Sequence, residues 1–264
     1  MKKPKFSFPV KPLVIVLLGI IALALVIAII WSVLLTSDFF RISDIVVRQG
    51  KADALSYLKG KNIFTVDLSR QARIIQEAYP DYSKVRIVRV LPDRIFVDFV
   101  KRRPAAFVKL YKYFVLDEDS VLFDTQAEPQ EPSLPVIVGL ETKIFGPKPG
   151  TRYNIKELKL ALLILKEAKA NRAFKDFSIK KIDVTNLANT SIFIPIGQPK
   201  LAVAKGRAAV FSEGIEVKLG IDNIKEKMFI LSGILIQAKK DLSNIKYIDL
   251  RFKEPVIKLN NVKQ

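Results

Sequence analysis

The chain has 264 residues, with 44 lysines and arginines against 26 aspartates and glutamates, a formal net charge of +18, and neither histidine nor cysteine. The composition therefore excludes an imidazole general base, a Ser-His-Asp triad, a histidine metal ligand, a disulfide and a thiolate nucleophile. Enzymes that use only Asp, Glu, Lys or Ser stay possible.

The apolar run from Leu13 to Leu35 carries no charge and is longer than the roughly 20 residues that a membrane-spanning helix needs. Basic residues beside a span stay on the cytoplasmic side. The preceding tail has no acidic residue and four lysines: Lys2, Lys3, Lys5 and Lys11. A cleaved signal peptide would have a shorter apolar core and end in small residues. The sequence thus predicts an uncleaved anchor at 12–36, with the N-terminus in the cytoplasm and the rest exported, a single-pass type II topology.

The positive charge indicates which surfaces the exported part could meet. A basic domain tethered to a membrane is attracted to anionic lipid headgroups or to acidic partners. Nucleic acid is the other common partner of basic chains, but an exported domain would rarely meet it. A lysine-rich solvated surface without a partner is the alternative.

The segment after the anchor has the pattern of a small layered domain of order β-α-α-β-β. The predicted elements are a strand over Phe40–Arg48, a short helix over Lys51–Leu58, a helix over 68–79 that Asp67 caps, and strands over Val85–Val90 and Arg94–Val100. The class is α+β.

The remaining chain is predicted as a mainly antiparallel β domain with two helices. Tyr113–Phe123 is typical of a hairpin with a solvated turn at 117–120, and 128–135 is a proline-punctuated connection. A helix over Ile155–Ala173 begins with a capping-box pattern at Asn154 and Glu157. Its predicted buried stripe is Leu158, Ala161, Leu162, Leu165 and Ala168. An antiparallel meander over 177–219, with strands at 179–184, 191–194, 201–204 and 215–219, precedes a helix over Ile224–Lys239 and a final strand pair.

Short blocks of sequence resemble the FtsQ/DivIB cell-division family. The blocks at 60–67, 88–95 and 102–105 resemble its POTRA domain, although Lys101 stands where the family usually has an acidic residue. Those at 217–220, 226–228 and 247–252 resemble the closing part of its β domain. The resemblance implies a cytoplasmic tail at 1–11, the transmembrane anchor at 12–36, a POTRA domain at 37–104 and an FtsQ-like β domain at 105–264.

The resemblance also implies a function without catalysis. Family members are scaffolds at the division septum of the cytoplasmic (inner) membrane, and their last strands recruit FtsB and FtsL by adding a partner strand to a sheet edge. The POTRA domain contacts other divisome membrane proteins. The partner-binding positions that match here are Arg251, Phe252, Pro255, Val256, Ile257, Lys258 and Leu259. We expect no catalytic residue, cofactor, metal, small-molecule substrate or nucleic acid.

Three alternatives stay open from the sequence. Residues 256–259 could simply complete the sheet under the C-terminal tail. A POTRA-bearing secretion or assembly factor would carry several POTRA units or a β-barrel, and neither pattern is seen. A membrane-anchored envelope enzyme would need an acidic pair in a cleft, which one sequence cannot show.

Overall fold

The structure is a computed structural model that describes residues 10–50, 52–126, 134–196 and 214–260. Helices and mixed sheets occur together, which confirms the α+β class. The chain divides into two compact units, Met1–Lys101 and Arg102–Gln264. Lys2, Lys3 and Lys5, the predicted strand over 201–204 and most of the connection over 128–135 lie outside the described residues.

The first unit begins with a long apolar helix, α1 (Val10–Thr36). Its segment Val14–Thr36 has a mean hydropathy of 3.3, and its most apolar part has no buried side chain. Within the described ranges this is the one helix long and apolar enough to cross a membrane. The predicted apolar helix is therefore present.

The rest of the first unit is a three-stranded sheet with helices. Its elements are a 3₁₀ turn (Asp38–Phe40), β1 (Asp44–Arg48), a 3₁₀ helix (Ala52–Leu58), α2 (Leu68–Ala78), β2 (Tyr82–Val90) and β3 (Arg94–Lys101). The strand order is β1-β3-β2, with β1 parallel and β2 antiparallel to β3. The predicted N-cap of α2 is present, because the Asp67 carboxylate accepts a hydrogen bond from the Arg70 N–H at 3.0 Å.

The first strand starts four residues later than predicted. Ser37 caps the 3₁₀ turn by accepting from the Phe39 N–H. The Phe40 ring packs edge-on against Phe64 at 5.2 Å. These local contacts hold residues 38–40 in a turn, and the pairing of β1 with β3 begins at Asp44.

Asn62 joins the end of α1 to the layered part of the first unit. The last carbonyls of a helix have no partner within the helix. The Asn62 side-chain amide donates to the carbonyls of Leu34 and Leu35, at 2.8 and 3.0 Å, while its own carbonyl oxygen accepts from the Phe64 N–H. One side chain therefore satisfies two helix-end acceptors and shapes the loop that follows.

The second unit consists of a long sheet and two helices. Its elements are β4 (Pro104–Lys109), β5 (Tyr113–Asp117), β6 (Val121–Gln126), β7 (Val136–Val138), β8 (Thr151–Arg152), α3 (Lys156–Ala170), β9 (Lys181–Asp183), β10 (Ser191–Pro195), β11 (Gly214–Lys218), α4 (Ile224–Gln237), β12 (Ile245–Asp249) and β13 (Val256–Leu259), with 3₁₀ turns at Arg172–Lys175, Leu187–Asn189 and Leu242–Asn244.

The described strands of the second unit form a ten-stranded sheet of order β13-β12-β11-β10-β9-β7-β4-β5-β6-β8. β9, β10 and β11 are antiparallel neighbours. The predicted meander is wrong in its order, because it puts a strand over 201–204 between β10 and β11, which pair directly with each other. However, β7 is parallel to both β4 and β9, and β11 is parallel to β12. The sheet is thus mainly antiparallel, and the parallel pairs join strands that are distant in sequence.

The start and the buried face of α3 differ from the prediction. The capping box is wrong: Ile155 is the N-cap, no side chain caps the helix, and Glu157 instead pairs with Lys143 at 3.3 Å. The buried positions are Leu158, Leu160, Ala161, Ile164 and Ala168, while Leu162 and Leu165 are half-buried. The buried face is wider than one stripe because α3 packs against α4 as well as contributing to the core of the sheet.

The prediction of a solvated turn at 117–120 is wrong for Asp117, which is buried. Its carboxylate is buried, forms a salt bridge with Arg102 at 2.6 Å, and accepts from the N–H groups of Asp119 and Val121 at 2.9 and 2.8 Å. Glu118 and Asp119 are exposed, as expected for a turn. The Asp117 carboxylate therefore shapes the turn and neutralises a buried arginine.

Candidate functional site

The last described strand, β13, forms one end of the ten-stranded sheet. It pairs antiparallel with β12, with Ile257 opposite Ile248 and Lys258 opposite Tyr247. Among the described residues, no strand pairs with the other side of β13. A strand in this position presents backbone N–H and C=O groups that a further strand could bind.

The hydrogen-bond pattern shows which groups of β13 face this free edge. The N–H of Asn260 donates to the Asn244 carbonyl at 2.7 Å, so Asn260 points toward β12. Backbone direction alternates along an antiparallel strand, so Val256 and Lys258 also point toward β12. Ile257 and Leu259 therefore present their backbone groups to the free edge.

The neighbouring pair of strands leads to the same assignment. The N–H of Leu250 donates to the Lys218 carbonyl of β11 at 2.8 Å. By alternation, Ile248 points toward β11, and Tyr247 and Asp249 point toward β13. Their register partners are Lys258 and Val256, the two residues that the first argument assigns to β12.

All seven predicted partner-binding residues are exposed and lie close together in the chain. Arg251, Phe252 and Pro255 lie on the β12–β13 turn, and β13 comprises Val256, Ile257, Lys258 and Leu259. Phe252 is 62% exposed and Leu259 is 58% exposed. Together with Ile257 and Val256, they give the edge an apolar surface beside its free backbone groups.

Asp249, which the sequence reasoning did not select, orders the turn. The Asp249 carboxylate is buried and accepts from the Arg251 backbone N–H at 3.0 Å and from its guanidinium at 2.6 to 3.2 Å. Arg251 also donates to the Asn189 side chain, and its guanidinium lies 5.9 Å from the Phe252 ring. The Ile-Asp-Leu-Arg spacing carries this signal, because residues two apart in extended chain lie on one side.

Gly220 makes room for the Arg251 side chain. Its φ of +68° lies in the left-handed region, where a side chain would be strained. A Cβ there would lie 3.4 Å from the Arg251 Cγ and 3.3 Å from the Ala188 carbonyl oxygen. The glycine thus allows a close approach that positions the arginine over the turn.

Basic side chains surround the ring of Tyr247 on β12. The Nζ atoms of Lys218 and Lys258 lie 4.9 and 5.9 Å from the ring centroid, on the two strands that flank β12. A cation near an aromatic ring is attracted by the ring quadrupole. The edge therefore combines positive charge with apolar side chains, a surface suited to a strand that carries acidic residues.

The Asp249–Arg251 pair predicts a pH-dependent stability. Hydrogen bonds from Arg251 hold the pKa of the Asp249 carboxyl below its ordinary value, against the opposing effect of burial. The stabilisation is therefore present above the ordinary pKa of about 4 and is lost as the pH falls through the lowered pKa. We expect Arg251→Met to reduce the free energy of unfolding by about 2–3 kcal/mol at pH 7, because the buried carboxylate loses its partner.

Urea unfolding of the full chain in detergent at pH 7 and pH 3, followed by circular dichroism, checks this expectation. The difference between wild type and Arg251→Met should shrink at pH 3, because Asp249 without the guanidinium is protonated there and no longer needs a charged partner. An equal difference at both pH values would contradict the ionic role of the pair.

In the described ranges, no group of three or more His, Cys, Asp or Glu side chains is arranged to hold a metal ion.

Comparisons with known proteins match most of the chain. A family model described as "Cell division protein FtsQ/DivIB, C-terminal" matches residues 106–251. The chain is 26% identical over 233 residues to "Cell division protein FtsQ" of Syntrophotalea carbinolica, covering 86% of the chain and 76% of that protein. It is 22% identical over 236 residues to the protein of the same name from Geotalea daltonii, covering 86% and 78%.

The family match ends at Arg251, so Phe252 and β13 lie just beyond it. The Asp249–Arg251 pair lies inside the match, and the edge strand that it precedes does not. The match nonetheless covers more than half of the 264 residues. The chain belongs to the FtsQ/DivIB family of cell-division proteins.

Proposed function

We propose that the chain is a non-catalytic, membrane-anchored scaffold of the division machinery. Its β13 edge would recruit FtsB/FtsL-type proteins by strand addition. The observation that carries the proposal is the free edge of β13, where Ile257 and Leu259 present backbone groups beside exposed apolar side chains. Family membership supplies the cell-division role.

Strand addition would use two kinds of contact. Backbone hydrogen bonds to an added strand give affinity that depends little on sequence, and side chains at alternate positions give selectivity. Ile257 and Leu259 lie on one face of β13, and Val256 and Lys258 lie on the other. Phe252, on the turn that Asp249 orders, supplies a large apolar contact at the end of the edge.

Pro255 would set where the added strand ends. Proline has no N–H to donate, and by alternation its backbone would face the free edge as Ile257 and Leu259 do. A partner strand would therefore find donors at Ile257 and Leu259 and none at Pro255. The backbone pairing would be confined to β13, next to Phe252.

The proposed topology follows from the apolar helix and the basic tail. Residues 1–11 would lie in the cytoplasm and 12–36 would span the inner membrane. A POTRA domain at 37–104 and a β domain at 105–264 would lie outside, at the division septum. In this arrangement the first unit would be the surface for other divisome membrane proteins, and the second unit would carry the edge for FtsB/FtsL-type partners.

A co-purification experiment tests the recruitment. The full chain would be co-expressed with the FtsB/FtsL-type proteins of the same genome and purified through an affinity tag. We expect the double variant Phe252→Glu, Ile257→Pro to lose the partners, because one edge donor is removed and the apolar contact becomes charged. The matched control Phe252→Tyr, Ile257→Val keeps both features and should retain them. Wild-type recovery of the partners by a folded double variant would contradict the proposal.

A further inference from the structure

One end of the first unit carries exposed apolar and basic residues next to the end of α1. We call it the membrane-proximal end and define it by residues 37–43, 59–62 and 90–94. We propose that this end rests on the headgroup layer of the bilayer that α1 spans, with Leu91 and Phe39 among the headgroups and Lys59 and Lys61 on anionic lipid. The inference rests on the membrane anchoring in the proposed function.

Hydrogen bonds connect these three segments to the end of α1. Asn62 donates to the carbonyls of Leu34 and Leu35, and the N–H of Ile42 donates to the Lys61 carbonyl at 3.0 Å. The N–H of Ser43 donates to the Asp93 carbonyl at 2.9 Å. A short series of hydrogen bonds therefore connects the β2–β3 turn to the last turn of α1.

A second contact fixes the end of β2 to the same place. The Arg89 guanidinium donates to the carbonyls of Ile63 and Val66, each at 2.8 Å. This contact ties β2, one residue before its end, to the loop that contains Asn62. The turn at its tip, Leu91-Pro92-Asp93, thus has a position fixed relative to α1.

The β2–β3 turn and the 3₁₀ turn that follows α1 both expose large apolar side chains. Leu91 is 59% exposed and Phe39 is 65% exposed, and Val90 beside Leu91 is also exposed. Exposed apolar side chains held next to a membrane span gain free energy by entering the headgroup boundary, as the apolar faces of interfacial helices do. The bilayer is the apolar surface that the anchor itself brings to this end.

The charges at this end favour an anionic surface. Its acidic side chains have partners: Asp38 pairs with Arg41 at 2.8 Å, and Asp93 accepts a hydrogen bond from the Ser43 hydroxyl. Lys59 and Lys61 are exposed and form no salt bridge with a described residue, although Lys61 lies over the Tyr57 ring. Lysines close to a membrane are attracted to anionic lipids.

A fluorescence experiment on the full chain tests the contact. Since the chain has no cysteine, Leu91→Cys gives a single site for an environment-sensitive fluorophore in nanodiscs of phosphatidylcholine and phosphatidylglycerol. The matched control is Asp81→Cys, an exposed position at the other end of β2, about 30 Å away along the strand. We expect lipids with a headgroup-attached quencher to quench the label at 91 at least about threefold more than the label at 81.

Equal quenching at both positions would overturn the proposal. Shielding at 91 that appears only when FtsB/FtsL-type proteins are added would also overturn it, since a protein would then cover the turn. The charge-reversed variant Lys59→Glu, Lys61→Glu should lower the quenching at 91 in anionic nanodiscs to its value in phosphatidylcholine alone. Unchanged quenching would contradict the role of the lysines. A chain that fails to enter nanodiscs would instead overturn the anchor of the proposed function, and this inference with it.

Discussion

Asp117→Ala is expected to lower the free energy of unfolding of the second unit by about 3–5 kcal/mol, because it leaves the Arg102 guanidinium buried without its carboxylate. The two side chains are 6% and 8% exposed and their ion pair measures 2.6 Å. The substitution also removes the acceptor for the N–H groups of Asp119 and Val121, which the β5–β6 turn requires. Urea unfolding of the full chain in detergent, followed by circular dichroism, measures the loss.

The neighbouring Glu118 supplies a control of the same chemistry. Its salt bridge with Lys169 is shorter than 3 Å, yet both side chains are largely exposed. Solvated ion pairs typically contribute less than about 1 kcal/mol, so Glu118→Ala should have little effect. Asp117→Asn keeps the shape and should lie between the two. A loss of less than about 1 kcal/mol for Asp117→Ala would contradict a structural role for the buried pair.

The turn at 117–120 shows why the burial of Asp117 cannot be predicted from the local sequence. Four consecutive polar residues between two apolar strands are typical of a solvated turn, and for Glu118 and Asp119 that prediction is correct. The partner of Asp117 is Arg102, which lies 15 residues earlier in the chain and on another strand connection. Local pattern does not reveal such a pair.

Local signals predicted the first unit well. Asp67 caps α2 as expected, and Ile95, Val97 and Phe99 form the buried side of β3. Alternation and capping depend on neighbours in sequence, so these elements can be read directly from the chain. The pairing of β7 with β4 and β9 cannot be predicted in this way, because a parallel pair joins segments that are distant in sequence, and neither segment carries a local pattern that identifies its partner.

The sequence indicates where the seven candidate residues lie, and their role in partner binding stays a prediction. The resemblance supplied Arg251 to Leu259, and the seven residues do lie on the last turn and strand. The carboxylate that orders this turn, Asp249, is the member of the motif that the sequence reasoning passed over. The direction of each backbone group depends on the register of β12 and β13, which follows from a bulge between Ile245 and Tyr247 that no local pattern predicts.

Proline at two consecutive positions of β13 is expected to give opposite results. Lys258→Pro removes an N–H that points toward β12, so the strand should detach from the sheet at a cost of about 1–3 kcal/mol. Ile257→Pro removes an N–H at the free edge, where no described strand accepts it, so β13 should stay paired. Hydrogen exchange of the β12 and β13 amides in the full chain distinguishes the two, since only Lys258→Pro should raise exchange at Tyr247 and Asp249.

The same two variants separate stability from recruitment. Ile257→Pro should lose FtsB/FtsL-type partners on co-purification while its exchange pattern stays that of the wild type. This combination arises only if an edge donor contacts the partner, since the fold itself is unchanged. The exposed Lys253→Ala, on the turn outside both strands, should leave exchange unaffected and retain the partners. If Ile257→Pro raised exchange along β12 and Lys258→Pro did not, the assignment of the free edge to Ile257 and Leu259 would be wrong, and the partner strand would have to pair in the opposite register.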